Sequence, residues 1–219
     1  MIINKLSVVI ITFNEEKNIR RCLNSVVDFA DEIIVVDSFS TDKTEEICNE
    51  FNVRFEKKKW EGYIKTKNYA NQLASNELIF SIDADEAVSD TLKQSIQKIK
   101  EQSIENVVYS MNRLTNYCGK WIKHCGWYPD RKIRIFEKSK TNWIGERVHE
   151  TLAFDKDTKI IHLKGDLFHY SYYTVEEHIL QANRFSNLTS QESFNKGKKV
   201  SLCGIFFRTK WRFCCGGRL

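Results

Sequence analysis

Asp83 and Asp85, separated by a single alanine, are the residues whose type and spacing point most directly to chemistry in this 219-residue chain. They follow the apolar run Leu78 to Ile82 (LIFSI), and alternate residues of an extended segment point the same way, so both carboxylates are expected to face one site. Mg²⁺ or Mn²⁺ takes hard oxygen ligands and commonly shares one or two protein carboxylates with substrate phosphates, which is what a lone Asp-x-Asp offers. A Gly-rich phosphate loop of the Walker type is absent. A diphosphate would then be held by the cation and by basic side chains such as Lys67, Arg131 or Arg134. Two more polar clusters also follow apolar runs: Thr12-Phe13-Asn14-Glu15, and Asp37-Ser38-Phe39-Ser40-Thr41-Asp42. Caps and turns alone account poorly for three such clusters, although they remain an alternative for residues 37 to 42.

The elements that must position these residues are readable from periodicity. Leu6 to Thr12 and Glu32 to Asp37 are near-continuous β-branched runs, the pattern of strands buried on both faces of a parallel sheet. Between them Ile19, Cys22, Leu23 and Val26 form one helical stripe. Ser40, Thr41 and Asp42 are cap candidates for a second helix that buries Thr44, Ile47, Cys48 and Phe51. A short strand at Val53 to Phe55, a helix around Ile64 to Leu73 and the LIFSI strand complete a βαβαβαβ alternation, so the fold class is α/β. Ligands of such sheets bind at the carboxyl ends of the strands, where all three clusters lie. From about residue 90 the rhythm changes, to an amphipathic helix (Leu92, Ile96, Ile99) and then shorter strand-like pieces at Val107 to Met111 and Lys132 to Phe136. Tyr117 to Asp130, with the one proline, reads as an ordered surface loop or substrate-facing wall. A last helix is expected from Thr174, with Glu177 completing a capping box, to about Ser190.

Composition bounds the rest. The net charge is +5, yet residues 184 to 219 hold eight Lys/Arg against the single acid Glu192, so residues 1 to 183 are net acidic and do not form a nucleic-acid-binding surface. Seven cysteines, an odd number at irregular spacing, argue against a disulfide framework or structural zinc, and Cys22 and Cys48 fall on apolar helix positions as buried hydrophobes in a reducing cytoplasm would. No signal peptide and no apolar run of about 20 residues is visible. The expected organisation is one compact domain over 1 to 183 with a basic, aromatic tail over 184 to 219. Lys196, Lys198, Lys199, Arg208, Lys210 and Arg212 flank apolar residues in that tail, a composition suited to docking on an anionic membrane surface.

The segments LSVVIITFNEE, EIIVVDSFSTDKT, KTKNYA, SIDADE and GERVHETL, in this order, resemble glycosyltransferase family 2, in particular its lipopolysaccharide-core and surface-polysaccharide glucosyltransferase branch. The resemblance spans roughly residues 5 to 200. It implies the GT-A fold, a mostly parallel Rossmann-like sheet flanked by helices that binds the nucleotide to about residue 90, with an irregular acceptor-binding C-terminal half over about 91 to 183. It also implies a UDP-hexose donor, a divalent metal (Mg or Mn), and inverting transfer to a lipid-linked or lipopolysaccharide-core glycan on the inner face of the cytoplasmic membrane.

Carried onto this chain, it makes Thr12, Asn14 and Glu15 the start of the nucleotide pocket and places Asp37 near the uracil or ribose. Lys67 would approach the pyrophosphate or base, Asp83 the ribose and Asp85 the metal. Lys67 stands where relatives often have Arg, which makes it a point charge rather than a bidentate fork. The resemblance favours Glu150 as general base, with Glu146 and His149 as alternatives, and brings His169 to the metal or diphosphate. Trp121, Trp127, Tyr128 and Trp143 are candidates for stacking on sugar rings or for packing. Two other classes fit parts of the pattern. A haloacid-dehalogenase phosphatase shares Asp-x-Asp but needs Thr or Val where Ala87 stands, and a non-catalytic nucleotide-sugar binder would keep the fold without turnover.

Overall fold

A computed structural model of the chain describes residues 4–146 and 149–197. The first four strands, β1 (Leu6–Thr12), β2 (Glu32–Asp37), β3 (Arg54–Lys57) and β4 (Leu78–Asp83), pair in parallel in the order β3-β2-β1-β4. Their β-branched runs are buried because helices cover both faces. On one face α1 (Ile19–Val26), α2 (Thr44–Cys48) and α4 (Asp90–Ile99) enclose Val8, Ile10, Phe80, Ile82, Cys22, Leu92 and Ile96. On the other, α3 (Tyr63–Leu73) packs Ala70 and Ala74 against Val9, Ile34, Val36 and Ile79.

Beyond β4 the sheet becomes mixed. The remaining strands of the main sheet are β5 (Glu86–Val88), β6 (Val107–Tyr117), β7 (Lys120–Trp121), β8 (Asp130–Glu137) and β11 (Lys159–Tyr172). The order continues β4-β8-β6-β11-β5, with β8 antiparallel to both neighbours, β11 parallel to β6, β5 antiparallel to β11, and β7 on β6. A separate antiparallel hairpin, β9 (Asn142–Glu146) with β10 (His149–Ala153), lies against α3. The chain ends its described part with α5 (Val175–Asn195).

Several expectations are corrected. The third strand is Arg54–Lys57 rather than Val53 to Phe55, because its partners are the last four residues of β2, from Ile34 to Asp37. The second helix stops at Cys48, and Phe51 follows in a turn while still packing on the core. Its N-cap position is Lys43, not one of the expected Ser40, Thr41 or Asp42; Asp42, one residue earlier, accepts from the Thr44 N–H at 3.0 Å, and Ser40 is engaged elsewhere. Tyr117 to Asp130 is not all loop, since β6 runs through Tyr117 and turns into the short β7. The capping box of the last helix is present: the Thr174 hydroxyl accepts from the Glu177 N–H at 3.1 Å and Glu177 Oε2 accepts from the Thr174 N–H at 3.3 Å. That helix runs on to Asn195, past the Ser190 expected, because nothing between 175 and 195 is Gly or Pro. Membrane docking by the rest of the tail rests on residues 198–219, which lie outside the described part.

Candidate active site

The carboxyl ends of β1, β2 and β4 are level, with Thr12 opposite Asp37 and Ile11 opposite Asp83. The loops that follow β1 and β2 are fastened to each other. The Asn14 N–H donates to Ser40 Oγ at 2.8 Å, Asn14 Oδ1 accepts from the Thr41 N–H at 2.8 Å, and the Glu15 N–H donates to Thr44 Oγ1 at 2.8 Å. Asn14 and Phe39 adopt left-handed backbone conformations (φ 54° and 63°), which puts Phe13 and Phe39 at the rim, each more than half exposed. The fully buried Asp37 accepts from the Ser40 N–H at 2.8 Å and hydroxyl at 2.5 Å, so its carboxylate organises its own loop. Thr12 is buried with an unpartnered hydroxyl at the same level.

The Asp83-Ala84-Asp85 segment is not extended. Asp83 ends β4, Ala84 and Asp85 form a turn, and β5 leaves to pair with β11. The two carboxylates therefore part company. Asp83 Oδ2 accepts from Arg134 at 2.6 Å and its Oδ1 lies 3.1 Å from Lys67 Nζ. Burial would raise the Asp83 pKa, but the two cations outweigh it and hold the carboxyl well below its ordinary range. Arg134, buried between Asp83 and Glu86 at 2.6 and 2.8 Å, has its pKa raised, the two carboxylates outweighing the burial that would lower it. Arg134 was a candidate for holding a diphosphate; its described contacts are instead these internal carboxylates. Lys67, 2% exposed, is likewise committed, to Asp83 and to Glu150 Oε1 at 3.4 Å. Arg131 is exposed.

Asp85 faces a different partner. In the β5–β11 ladder His169 stands opposite Glu86, and the Tyr170 N–H donates to the Asp85 carbonyl at 2.9 Å, which brings His169 Nε2 within 3.2 Å of Asp85 Oδ2. The other ring nitrogen, Nδ1, lies 3.3 Å from Thr115 Oγ1 and so is oriented. Burial would lower the His169 pKa, but the Asp85 hydrogen bond and charge outweigh it and raise the value. A carboxylate oxygen facing an imidazole nitrogen, with the second ring nitrogen tethered, is a donor pair that fits a divalent cation in place of the shared proton. Among the described residues no group of three or more His, Cys, Asp or Glu is placed to hold an ion, so other ligands would come from substrate or water. Close by, burial pushes Glu15 up to about 7, opposed by its Asn18 hydrogen bond and reinforced by Asp85, Asp42 and Asp83.

The sequence-predicted residues thus gather at one end of the sheet. Lys67, Asp83 and Glu150 form one contact group and Asp85 and His169 another, while Asn14 and Asp37 build the rim. The side chains of Glu146 and His149 lie outside the described part. Sequence reasoning placed Glu86 in the cluster with Asp83 and Asp85 but gave it no role; it sits beneath both groups, where its Oε2 accepts from the Asp83 N–H at 3.0 Å and its Oε1 from Arg134. Sequence reasoning missed Asn68, one residue from Lys67. Of the aromatic candidates, Trp143 is buried, whereas Trp121 and Trp127 are partly exposed and pack on Phe168, Tyr170 and Tyr117.

A parallel sheet with ligand groups at its carboxyl edge, continued by a mixed half that returns a histidine to the carboxylate turn, is the GT-A architecture of nucleotide-sugar glycosyltransferases. Residues 7–160 match the family described as glycosyl transferase family 2, and the chain belongs to that family; it is a glycosyltransferase. The match includes Glu150 and ends before His169. An uncharacterized glycosyltransferase of Rickettsia typhi is 33% identical over 95% of this chain and 75% of its own length. The lipopolysaccharide core biosynthesis glycosyltransferase LpsC of Rhizobium meliloti is 28% identical over 92% of this chain and 76% of its own. Among solved structures, S. aureus TarS (residues 1–349) in complex with UDP superposes with a TM-score of 0.54 at 21% identity. That superposition covers 80% of this chain and 62% of that one, and supports the fold.

Proposed function

We propose that this glycosyltransferase uses a UDP-sugar, inverts the anomeric centre, and transfers a hexose to a lipid-linked or lipopolysaccharide-core glycan. The observation that carries the reading is the division of labour at the end of β4: Asp85 with His169 on one side, and Asp83 with Lys67 and Glu150 on the other. Thr12, Asn14, Glu15 and Asp37 line the nucleotide side, Asp83 and Lys67 form its floor, and a divalent cation held by Asp85 and His169 would supply charge opposite the departing diphosphate. Glu150 takes the proton from the acceptor hydroxyl. The acceptor oxygen bonds to the anomeric carbon as the bond to the diphosphate oxygen breaks, and UDP leaves. The lipopolysaccharide-core role of LpsC supports the acceptor class, and the UDP bound to TarS supports the nucleotide. None of the described helices is long and apolar enough to cross a membrane. The acceptor would be met at the inner face of the cytoplasmic membrane through the basic tail, residues 184–219.

A screen for UDP release over common UDP-sugars with Mn²⁺, with bacterial lipid extracts as acceptor source, tests the reading. Turnover should appear with one or few donors and vanish in Asp85→Ala. Metal-dependent activity within about tenfold of wild type in that variant, a barrier change of roughly 1.4 kcal/mol, refutes the assignment of Asp85.

A further inference from the structure

We infer that Lys67 and Asn68 together form a latch that docks the β9–β10 hairpin and thereby sets the position of Glu150, so that Lys67 acts as a positioning residue for the base. The inference deepens the proposed function and rests on Glu150 being that base.

Adjacent residues of α3 reach the same hairpin by different means. The Asn68 side-chain amide grips the backbone of Trp143 on β9 from both sides. Its Nδ2 donates to the Trp143 carbonyl at 2.9 Å, and its Oδ1 accepts from the Trp143 N–H at 2.9 Å. That is the hydrogen-bond pair a neighbouring strand would make, supplied by a side chain. Lys67 stands with its ammonium 4.8 Å from the centre of the Trp143 ring and then reaches Glu150 on β10. Trp143 also packs edge-on against Phe136 of β8, which ties β9 to the main sheet. In the hairpin register Thr151 lies opposite Ile144 and Glu150 opposite Gly145, so fixing Trp143 fixes Glu150 a short distance along the ladder.

Lys67 therefore has one ammonium between the carboxylate at the end of β4 and the carboxylate of the hairpin, at 3.1 and 3.4 Å. An ammonium buried to 2% exposure with two carboxylate partners has little capacity left for a ligand phosphate, whereas it holds those carboxylates at a set separation. A misplacement of about 1 Å can cost roughly 10²-fold in rate, so the latch matters to transfer, and its Asn68 half, bonded to the Trp143 backbone, can be removed while Lys67 keeps its place at the floor of the nucleotide side.

The test uses the full chain and Asn68→Ala, at a residue whose side-chain bonds go to the Trp143 backbone, with Asn68→Asp as a second variant that keeps the acceptor for the Trp143 N–H but sets a carboxylate oxygen against the Trp143 carbonyl. The readouts are kcat for transfer, UDP affinity by calorimetry, and amide hydrogen exchange of residues 142–146 and 149–153. Asn68→Ala should speed exchange in the hairpin and lower kcat by about ten- to a hundredfold, with UDP affinity within about twofold of wild type. Asn68→Asp should loosen the hairpin at least as much. Unchanged hairpin exchange, kcat within about twofold of wild type, or UDP affinity falling in step with kcat would overturn the latch. Glu150→Gln separates the two ideas. If it retains transfer, the base assignment fails, while faster hairpin exchange in Asn68→Ala still reports the latch.

Discussion

At the scale of single residues, Glu15 offers a test that needs no substrate. It holds its proton to about pH 7 in the folded protein, against an ordinary value of 4.5. Between those values the folded state binds more protons than the unfolded one, so this group's contribution to stability falls as pH rises through the window. Glu15→Gln removes it. Denaturant unfolding at pH 5 and pH 8, without added metal, should show wild type losing on the order of 1–2 kcal/mol more than the variant; equal losses would mean that the side chain is solvated. The carboxylates also show what a sequence can and cannot tell. Asp83 and Asp85 were identifiable because an Asp-x-Asp after an apolar strand is a local signal. Only the family resemblance gave them separate roles; the spacing alone set both toward one site, because the residues that divide them, Arg134 and His169, come from distant strands whose register no local pattern encodes. Lys67 was picked out, but its partners only became visible once β10 was placed beside α3.

At the scale of elements, β-branched runs and helical stripes announced β1, α1, β2 and β4 because each is buried by its own periodic face. The mixed half was less legible: β5 is three residues long, and β11 has a register break between His162 and Asp166 that interrupts alternation. That break is built on Gly165. It has φ 100°, and a Cβ there would lie 2.7 Å from Leu92 Cα and 2.8 Å from the Thr91 carbonyl carbon, both backbone atoms that cannot rotate away. The same bulge is pinned to α4 by the hydroxyl of its N-cap Ser89, which accepts from the Asp166 N–H at 3.0 Å, and by Ser95 midway along the helix, which donates to the Lys164 carbonyl at 2.9 Å. Gly165→Ala should therefore cost about 1–3 kcal/mol in an unfolding titration, and a loss under about 0.5 kcal/mol, the range of an ordinary surface change, would show that α4 and β11 can separate freely.

At the scale of the whole molecule, the charge asymmetry predicts where the protein sits. Six basic residues between 196 and 212, each worth about 1 kcal/mol beside an anionic leaflet, suffice for reversible attachment. The full chain should float with anionic liposomes at low salt and be released at high salt, since surface attraction is screened within roughly 8 Å at physiological ionic strength. No flotation at low salt, or flotation unaffected by deleting residues 196 to 219, would show that the lysines serve another purpose. Inside the body, the halves on either side of residue 90 are joined where β5 leaves the Asp85 turn and pairs with Leu167 to His169 of β11. That crossing has a consequence for how the protein is born. Synthesis runs from the N-terminus, so the four parallel strands and the acidic turn emerge first, and β5 waits for its partner until nearly the whole described chain has been made. A nascent or prematurely terminated chain thus carries the carboxylates without the imidazole. The Asp85–His169 pair proposed to hold a cation is completed only once β11 has been made.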